Sequence, residues 1–395
     1  MQEERHDSCL PGIRELHSTY VLEGRSEHPL LMLPEDVLEY LLSVLKDQPI
    51  TPPEFTPDIR DGIILSLQPH LILPLLYWQL SRLPPAYRPE QEFISALEMI
   101  FTRSSAHVIR TDRQVEEILG ALGGVGIRPI ILKGYAFGRM LYSDPATRLY
   151  DDIDMLVHPE EMEKVREVMK ELGYTCPHPA FGRSDAHNAE EYTRPGMRAP
   201  PVEIHWRYYT IAGGNTRSTE DFFRRAVDGP GFRTLNPVDA LTFCAFHMVV
   251  KHTQSIRLNW IYDISLLARE LQAPDDWEML QNRCIEWGAR RPVEVALRMA
   301  ELWTGPVIPE GFEDFSTWPE PTPAEEASWK DAMARFSSVS SALSLSFSAR
   351  PTAREKAAWL LEKARPSSGI SSAHPDDSLP RLYLRHWSDL FRRFR

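Results

Sequence analysis

Apolar residues recur at helical spacing through most of the first third of the chain. The pattern begins at Pro34, with acidic residues in the first turn, and returns over residues 58–82 and 90–122. Proline-rich connectors separate these stretches, and prolines interrupt helices because they lack a backbone N–H. The pattern predicts a helical domain over residues 31–124, preceded by an irregular N-terminus at 1–30.

The pattern changes after Gly124. The short β-branched run that ends at Leu132 is typical of a buried strand, and residues 152–157 alternate acidic and apolar side chains before becoming wholly apolar. Two further strands are predicted around 189–194 and 200–207, and helices are predicted over 134–141 and 159–172. Together these elements predict a small α+β core over residues 125–236.

Helical spacing resumes beyond the core, over 237–269 and 276–303, which predicts a second helical domain at 237–304. Residues 305–395 begin as a proline- and acid-rich linker, continue as helix and end in a basic, aromatic tail. The tail could rest on an anionic membrane or an acidic partner, but packing against its own acidic protein is the favoured interpretation. The predicted fold class is therefore α+β, with a small mixed-sheet core flanked by largely helical regions.

Charge and cysteine content narrow the function classes. The chain has 395 residues, with 56 acidic and 44 basic side chains and a net charge of −12, so nucleic acid is a disfavoured partner. Its four cysteines form no CxxC pair, which argues against a zinc ribbon or a disulfide framework and fits a reducing compartment. No signal-peptide pattern and no membrane span is expected, and the expected location is cytoplasmic.

Asp152 and Asp154 are the strongest chemical signal in the sequence. Residues two apart in a strand point to the same face, so both carboxylates can grip divalent ions for phosphoryl or nucleotidyl transfer. Oxygen ligands favour Mg²⁺ or Mn²⁺ over zinc, and Glu203 on a later strand could complete the set. Such a pair is often only a surface feature, but here the acids open an apolar strand, where unpaired charge is costly.

Lys133 and Gly134 lie where a strand ends and a helix begins, a place where backbone N–H groups can hold phosphate oxygens. An ordinary strand-to-helix turn is the alternative. Arg148 could pair with the acids or with phosphate, or could be a plain loop arginine. His205 shares the strand face of Glu203 and could orient a phosphate or a metal-bound water, or simply pack in the core.

His247 and His252 are five residues apart, which does not suit a helical zinc pair. Packing or acceptor-site roles are expected for them instead. Asp263, three residues after Trp260, is expected to cap a helix or to pair with a histidine.

Three motifs resemble a known family. They are Ile131-Leu132-Lys133-Gly134, then Arg148 followed by Asp152-Ile153-Asp154-Met155-Leu156-Val157, then Glu203-Ile204-His205-Trp206. They resemble the uncharacterised nucleotidyltransferase family of the DNA polymerase β-like superfamily, over roughly residues 35–270, and Trp260-Ile261-Tyr262-Asp263 resembles a later family segment. The wider superfamily has a glycine-serine pair at the phosphate turn, and this chain has Lys133-Gly134-Tyr135 instead.

The resemblance implies a mixed sheet that carries the acids. It implies that Asp152 and Asp154 bind both metal ions, and that Glu203 holds the catalytic metal and helps to activate the acceptor hydroxyl. It also implies that Lys133 and Gly134 contact the triphosphate.

The expected function is metal-dependent transfer of a nucleoside monophosphate to a hydroxyl group. The cofactor would be Mg²⁺ or Mn²⁺, the donor a nucleoside triphosphate (with ATP expected), and the acceptor a small molecule or a peptide or protein. The alternatives are a kinase or phosphohydrolase that uses the same metals, and a nucleotide-binding regulator without turnover. Retention of all three acids argues against the last.

Overall fold

The computed structural model describes residues 33–179, 188–207, 216–252 and 256–323, together with 325–327 and 329. The irregular N-terminus predicted at 1–30 and the basic, aromatic tail lie outside these residues. The helices of the described part are α1 (Glu35–Leu45), α2 (Pro57–Leu67), α3 (Leu73–Arg82), α4 (Gln91–Gly124), α5 (Lys133–Met140), α6 (Met162–Glu171), α7 (Thr216–Arg225), α8 (Pro237–Phe246), α9 (Leu258–Glu270), α10 (Pro274–Trp287) and α11 (Arg290–Thr304). The strands are β1 (Ile130–Ile131), β2 (Ile153–Leu156), β3 (Ala189–Tyr192), β4 (Val202–His205), β5 (Val227–Asp228) and β6 (Arg233–Thr234).

One mixed sheet of six strands lies between the helical regions in sequence, in the order β3-β4-β2-β1-β6-β5. β2 pairs in parallel with β4, and β1 in parallel with β6. The other three pairings are antiparallel. The α+β class predicted from the sequence is confirmed, and β1, β2, β3 and β4 all lie within predicted strand segments.

Helices from both ends of the described chain pack together. Tyr40, Leu41 and the other apolar residues of α1 are buried, and α1 meets Leu258 of α9 and Trp303 of α11 around a small apolar space. The N-terminal helices therefore share one core with the helices that follow the sheet.

The longest helix, α4, has 34 residues and ends just before Gly126, whose φ of 84° is readily adopted only by glycine. This turn sends the chain directly into β1. Among the described residues, every helix falls short of the combined length and apolar character that a membrane-crossing segment requires.

Three elements were not predicted from the sequence. β5 and β6 have two residues each, too few to show any periodicity, and α7 is a polar helix of ten residues. Directly after α8, residues His247–Lys251 form a single π-helical turn. Such turns are rare and are frequent at functional sites.

Candidate active site

Two neighbouring parallel strands place two acids side by side. In the β2–β4 pairing, Asp154 lies opposite Glu203, while Ile153 lies opposite Val202. Side chains alternate across a strand, so the two acids share one face of the sheet and the fully buried Ile153 and Val202 fill the other. The apolar face fixes the strand register, and the register fixes the spacing of the acids.

His205 lies between these two carboxylates. Its Nε2 atom is 3.0 Å from Oδ1 of Asp154 and 3.3 Å from Oε2 of Glu203. One donor atom from each of the three residues lies within 4.8 Å of the other two. His205 is two residues after Glu203 in β4, so the same strand alternation that aligns the acids also brings the imidazole to them.

Lys133 supplies a positive charge to the same cluster. It follows β1, which pairs with β2, and its Nζ atom lies 3.1 Å from Oδ2 of Asp154. The sequence predicted that Lys133 would contact phosphate. In the structure the lysine is paired with Asp154, so it lies beside the carboxylates that a metal would need.

Gly134 is required by close packing at this turn. A Cβ atom on Gly134 would lie 3.0 Å from Cβ of Tyr150, closer than side chains normally approach. Tyr150 is itself buried. The glycine therefore lets the start of α5 press against the segment that leads into β2.

Asp152 immediately precedes β2 and lies within electrostatic reach of Asp154, Lys133 and Glu203. Burial, and then the charge of Asp154, raises the pKa of Asp152 to about 6. Its carboxylate is not part of the close group formed by Asp154, Glu203 and His205. The structure thus brings all three predicted acids to one neighbourhood, with Asp152 at its edge.

The other charges of the cluster hold one another ionised. Burial opposes ionisation of Asp154, but Lys133 and His205 outweigh it and keep the Asp154 pKa below its usual range. Burial likewise opposes a charge on His205, but hydrogen bonds to Asp154 and Glu203 raise its pKa. Burial opposes ionisation of Glu203 as well, but the hydrogen bond and charge of His205, together with the charge of Lys133, outweigh it and lower the pKa of Glu203. The acids therefore have Lys133 as an internal cationic partner and His205 as a shared hydrogen-bond partner.

Arg148 has a partner that the sequence did not suggest. Its Nε and Nη2 atoms donate to the two carboxylate oxygens of Asp263 at 2.7 and 2.6 Å, and both side chains are almost completely buried. The hydroxyl of Tyr142 donates to the same carboxylate at 2.7 Å. Asp263 was expected to cap a helix or to pair with a histidine, whereas the structure pairs it with this arginine.

Comparison with known protein families identifies the family of this chain. A family model described as "Uncharacterised nucleotidyltransferase" matches residues 62–305, more than half of the chain. The chain belongs to this nucleotidyltransferase family. The match contains every predicted site residue, from Lys133 to His205. No curated protein matches the sequence.

Two solved structures share limited similarity with this nucleotidyltransferase. The antibiotic-resistance factor ANT(2'')-Ia is 13% identical, with a TM-score of 0.34, over 46% of this chain and 91% of that chain. An antigenic nucleotidyltransferase-like protein from Paracoccidioides brasiliensis is 16% identical, with a TM-score of 0.29, over 46% of this chain and 88% of that chain.

A group of aromatic rings lies next to the acids of this nucleotidyltransferase. We call His247, His252 and Trp260 the ring cluster; their ring centroids are 4.4 to 5.2 Å apart. His247 Nε2 lies 3.4 Å from Lys133 Nζ. Burial, and then the charge of Lys133, lowers the pKa of both histidines, that of His252 to about 4, so both rings are neutral at pH 7. From the sequence, packing or acceptor-site roles were expected for the two histidines, and their contact with Lys133 was not predicted.

The donor set of the nucleotidyltransferase fits a divalent cation. Asp154 and Glu203 present carboxylate oxygens to one point, and Asp152 adds a third carboxylate nearby. Carboxylates suit Mg²⁺ and Mn²⁺. His205 already holds hydrogen bonds to both central acids, so it is better suited to orienting their oxygens than to replacing one of them.

Proposed function

We propose that the chain transfers a nucleoside monophosphate from a nucleoside triphosphate to a hydroxyl group, using Mg²⁺ or Mn²⁺ held by Asp152, Asp154 and Glu203. The observation that carries the proposal is the register of β2 and β4, which sets Asp154 opposite Glu203 with Lys133 at 3.1 Å from Asp154. Membership of a nucleotidyltransferase family supports the reaction class.

Glu203 is more open to an acceptor than Asp154 is. Its side chain is 37% exposed, whereas that of Asp154 is 2% exposed. In the proposed reaction the acceptor oxygen bonds to the α-phosphorus, the bond from that phosphorus to the bridging oxygen breaks, and pyrophosphate leaves with the electron pair. Glu203 is placed to receive the proton of the acceptor hydroxyl. A divalent metal, when bound, would neutralise charge on the reacting phosphate.

Lys133 and Gly134 are the proposed contacts for the triphosphate. In the proposed complex Asp154 would hold the metal, and the ammonium of Lys133, which is now paired with Asp154, would contact the phosphates instead. His205 would keep Asp154 and Glu203 oriented during this exchange. We propose a positioning role for Arg148, in place of phosphate contact, because Asp263 already binds its guanidinium in a buried pair.

The acceptor is proposed to be a small molecule or a hydroxyl of a peptide or protein. A nucleic-acid acceptor is disfavoured by the net charge of −12. ATP is the proposed donor.

A transfer assay tests the proposal. The full chain would be incubated with each of the four labelled triphosphates, Mg²⁺ or Mn²⁺ and a cell extract as the source of acceptor. Wild type should transfer label and release pyrophosphate, and Asp154→Asn and Glu203→Gln should reduce transfer at least 100-fold. The matched control is Asp228→Asn, which changes an exposed acid at the far edge of the same sheet and should transfer normally.

The same assay separates the alternative functions. Release of inorganic phosphate or of a nucleoside diphosphate would indicate a phosphohydrolase or kinase. Tight nucleotide binding without any product would indicate a regulator. Equal labelling by wild type and Asp154→Asn would exclude the proposed site.

A further inference from the structure

The ring cluster has no role in the chemistry proposed above. Trp260 and both histidines are half-buried residues, so the ring cluster is not sealed within the core. The Trp260 centroid lies 5.2 Å from that of His247 and 5.1 Å from that of His252. A core aromatic group would be closed on all sides, whereas these three residues retain some exposure and lie beside a charged site.

The ring cluster is joined to the acids by a short chain of contacts. His247 lies 3.4 Å from the ammonium of Lys133, and that ammonium lies 3.1 Å from Asp154. The cluster thus begins one side chain away from the proposed phosphate site. A ligand with its phosphates at Lys133 could therefore reach the ring cluster with another part of the same molecule.

Cationic side chains accompany these rings. The guanidinium of Arg257 lies 5.2 Å from the centre of the Trp260 ring and is paired with Asp151 at 2.6 Å. Lys251 is exposed and belongs to the same π-helical turn as His247. A flat aromatic surface with nearby positive charge is suited to a ligand that is itself a flat ring attached to an anion.

We infer that the ring cluster binds the nucleobase of the nucleoside triphosphate, with the base stacked on Trp260 and His252. The inference rests on the proposed function, because it needs the phosphates at Lys133. Every nucleoside triphosphate combines a flat base with anionic phosphates and so matches both features found here, a stacking surface and cations, whereas a hydroxyl acceptor need not have either. Stacking on a side chain tolerates any base, so the cluster supplies affinity before it supplies base preference.

Calorimetry with two ligands tests the inference. Wild type, Trp260→Ala and Trp260→Phe would be titrated in Mg²⁺ with non-hydrolysable analogues of the four triphosphates, and separately with inorganic triphosphate, which carries the phosphates without a base. Trp260→Ala should raise the Kd of the preferred nucleotide about tenfold and leave that of inorganic triphosphate within about twofold. Trp260→Phe keeps a ring and should stay within about threefold of wild type for both ligands.

Two further variants provide a matched control and a second test of base stacking. Trp78→Ala is the matched control, because Trp78 is also half-buried and has an arginine, Arg82, 5.2 Å from its ring centre. It should bind nucleotide as wild type does. His252→Ala removes a smaller part of the cluster and should raise the nucleotide Kd about threefold, which gives a second reading if Trp260→Ala does not fold.

Each other outcome is decisive. Unchanged nucleotide affinity in both Trp260→Ala and His252→Ala overturns base stacking and leaves the proposed function intact. An equal loss for nucleotide and inorganic triphosphate also overturns it, because the defect then lies in the phosphate site. Normal nucleotide affinity combined with impaired transfer assigns the cluster to the acceptor instead. If wild type binds neither ligand, the proposed function itself fails, and this inference fails with it.

Discussion

Asp152 and Asp154 are chemically identical side chains two residues apart, yet their pKa values are shifted in opposite directions. Asp154 has Lys133 and His205 as partners, and its pKa is lowered despite burial. For Asp152, burial and then the charge of Asp154 raise the pKa to about 6. A carboxylate held ionised at a cost is typical of functional sites, and the difference can be measured at the level of single residues.

Replacing Asp152 with asparagine is expected to increase the free energy of unfolding of the metal-free protein by about 1–2 kcal/mol at pH 7.5. The pKa of Asp152 is raised on folding, from 3.8 to about 6, so its ionisation costs stability as the pH rises through that interval. Below about pH 4 the acid is protonated in both states and the gain should vanish. Urea unfolding between pH 4 and pH 8 measures this, with Asp228→Asn as the exposed control.

A variant less stable than wild type at pH 7.5 would contradict this electrostatic picture. In the presence of Mn²⁺ the order should reverse, because wild type gains binding energy that Asp152→Asn lacks.

Lys133→Gln is expected to lower the stability of the metal-free protein by about 1–3 kcal/mol, because Asp154 loses its ammonium partner while buried. His205 continues to bind Asp154 and limits the loss. Mn²⁺ should then stabilise Lys133→Gln more than it stabilises wild type, since the metal no longer competes with the lysine. Thermal unfolding with and without Mn²⁺ measures the difference, and an equal metal effect in both proteins would show that Lys133 does not compete.

Most residue identities at the site could be predicted from sequence, but their partners could not. The acids could be predicted because charge at the start of an apolar strand is costly unless it is paired or bound to a metal. The alternation of side chains along a strand placed His205 on the same face as Glu203. The Arg148–Asp263 pair spans 115 residues of sequence and follows no local rule. The same holds for the contact between His247 and Lys133, which are 114 residues apart.

At the level of elements, the start of α5 at Gly134 packs closely against Tyr150, in the segment that leads into β2. β1 was predictable from a short apolar run, and β2 and β4 from apolar residues that alternate with polar ones. β5 and β6 were not, because a two-residue strand is defined by its neighbours in the sheet rather than by its own pattern. α5 itself was predicted from the sequence, at 134–141, but the close packing at its glycines is known only from the structure.

Gly134→Ala is expected to cost about 1–3 kcal/mol of stability, because its Cβ would lie 3.0 Å from Cβ of Tyr150. Gly138→Ala on the same helix is the matched control. Its Cβ would lie 3.5 Å from the nearest atom, an ordinary contact, and alanine favours helix by about 1 kcal/mol. Chemical denaturation of both variants tests this. Equal effects at the two positions would mean that the Tyr150 contact is not limiting.

At the level of the whole molecule, a helix that follows the sheet in sequence is bound to the segment that leads into β2. Arg148 lies just before β2, and Asp263 lies in α9, so their buried ion pair ties the acid-bearing strand to the C-terminal helices. The family match at 62–305 includes both residues, but it omits α1, which packs against α9 and α11. The hydrophobic core therefore extends beyond the matched segment.

Asp263→Asn is expected to destabilise the protein by about 3–5 kcal/mol, because it leaves the buried charge of Arg148 without its partner. The exposed pair of Arg128 and Asp228 is the control, and Asp228→Asn should cost under about 1 kcal/mol. Replacing both residues, as Arg148→Met with Asp263→Leu, should recover most of the stability.

That double variant also decides the role of Arg148. If it is stable and binds nucleotide as wild type does, Arg148 only positions the chain. If it is stable but has lost nucleotide affinity, the phosphate contact expected from the sequence is correct. Calorimetry on the refolded double variant gives the answer.

The register of β2 and β4 also limits how this protein can change over evolutionary time. Asp154 and Glu203 meet only because the two strands align residue by residue, with Met155 opposite Ile204 in the next pair. Inserting a single residue within either strand would turn an acid into the core and an isoleucine or methionine towards the site. The segment between the strands contains α6 and β3, and β3 is itself paired with β4, so only the connections between these elements are free of such a restriction. New acceptor specificities should therefore arise by changes in those connections, with the chemical pair left unchanged.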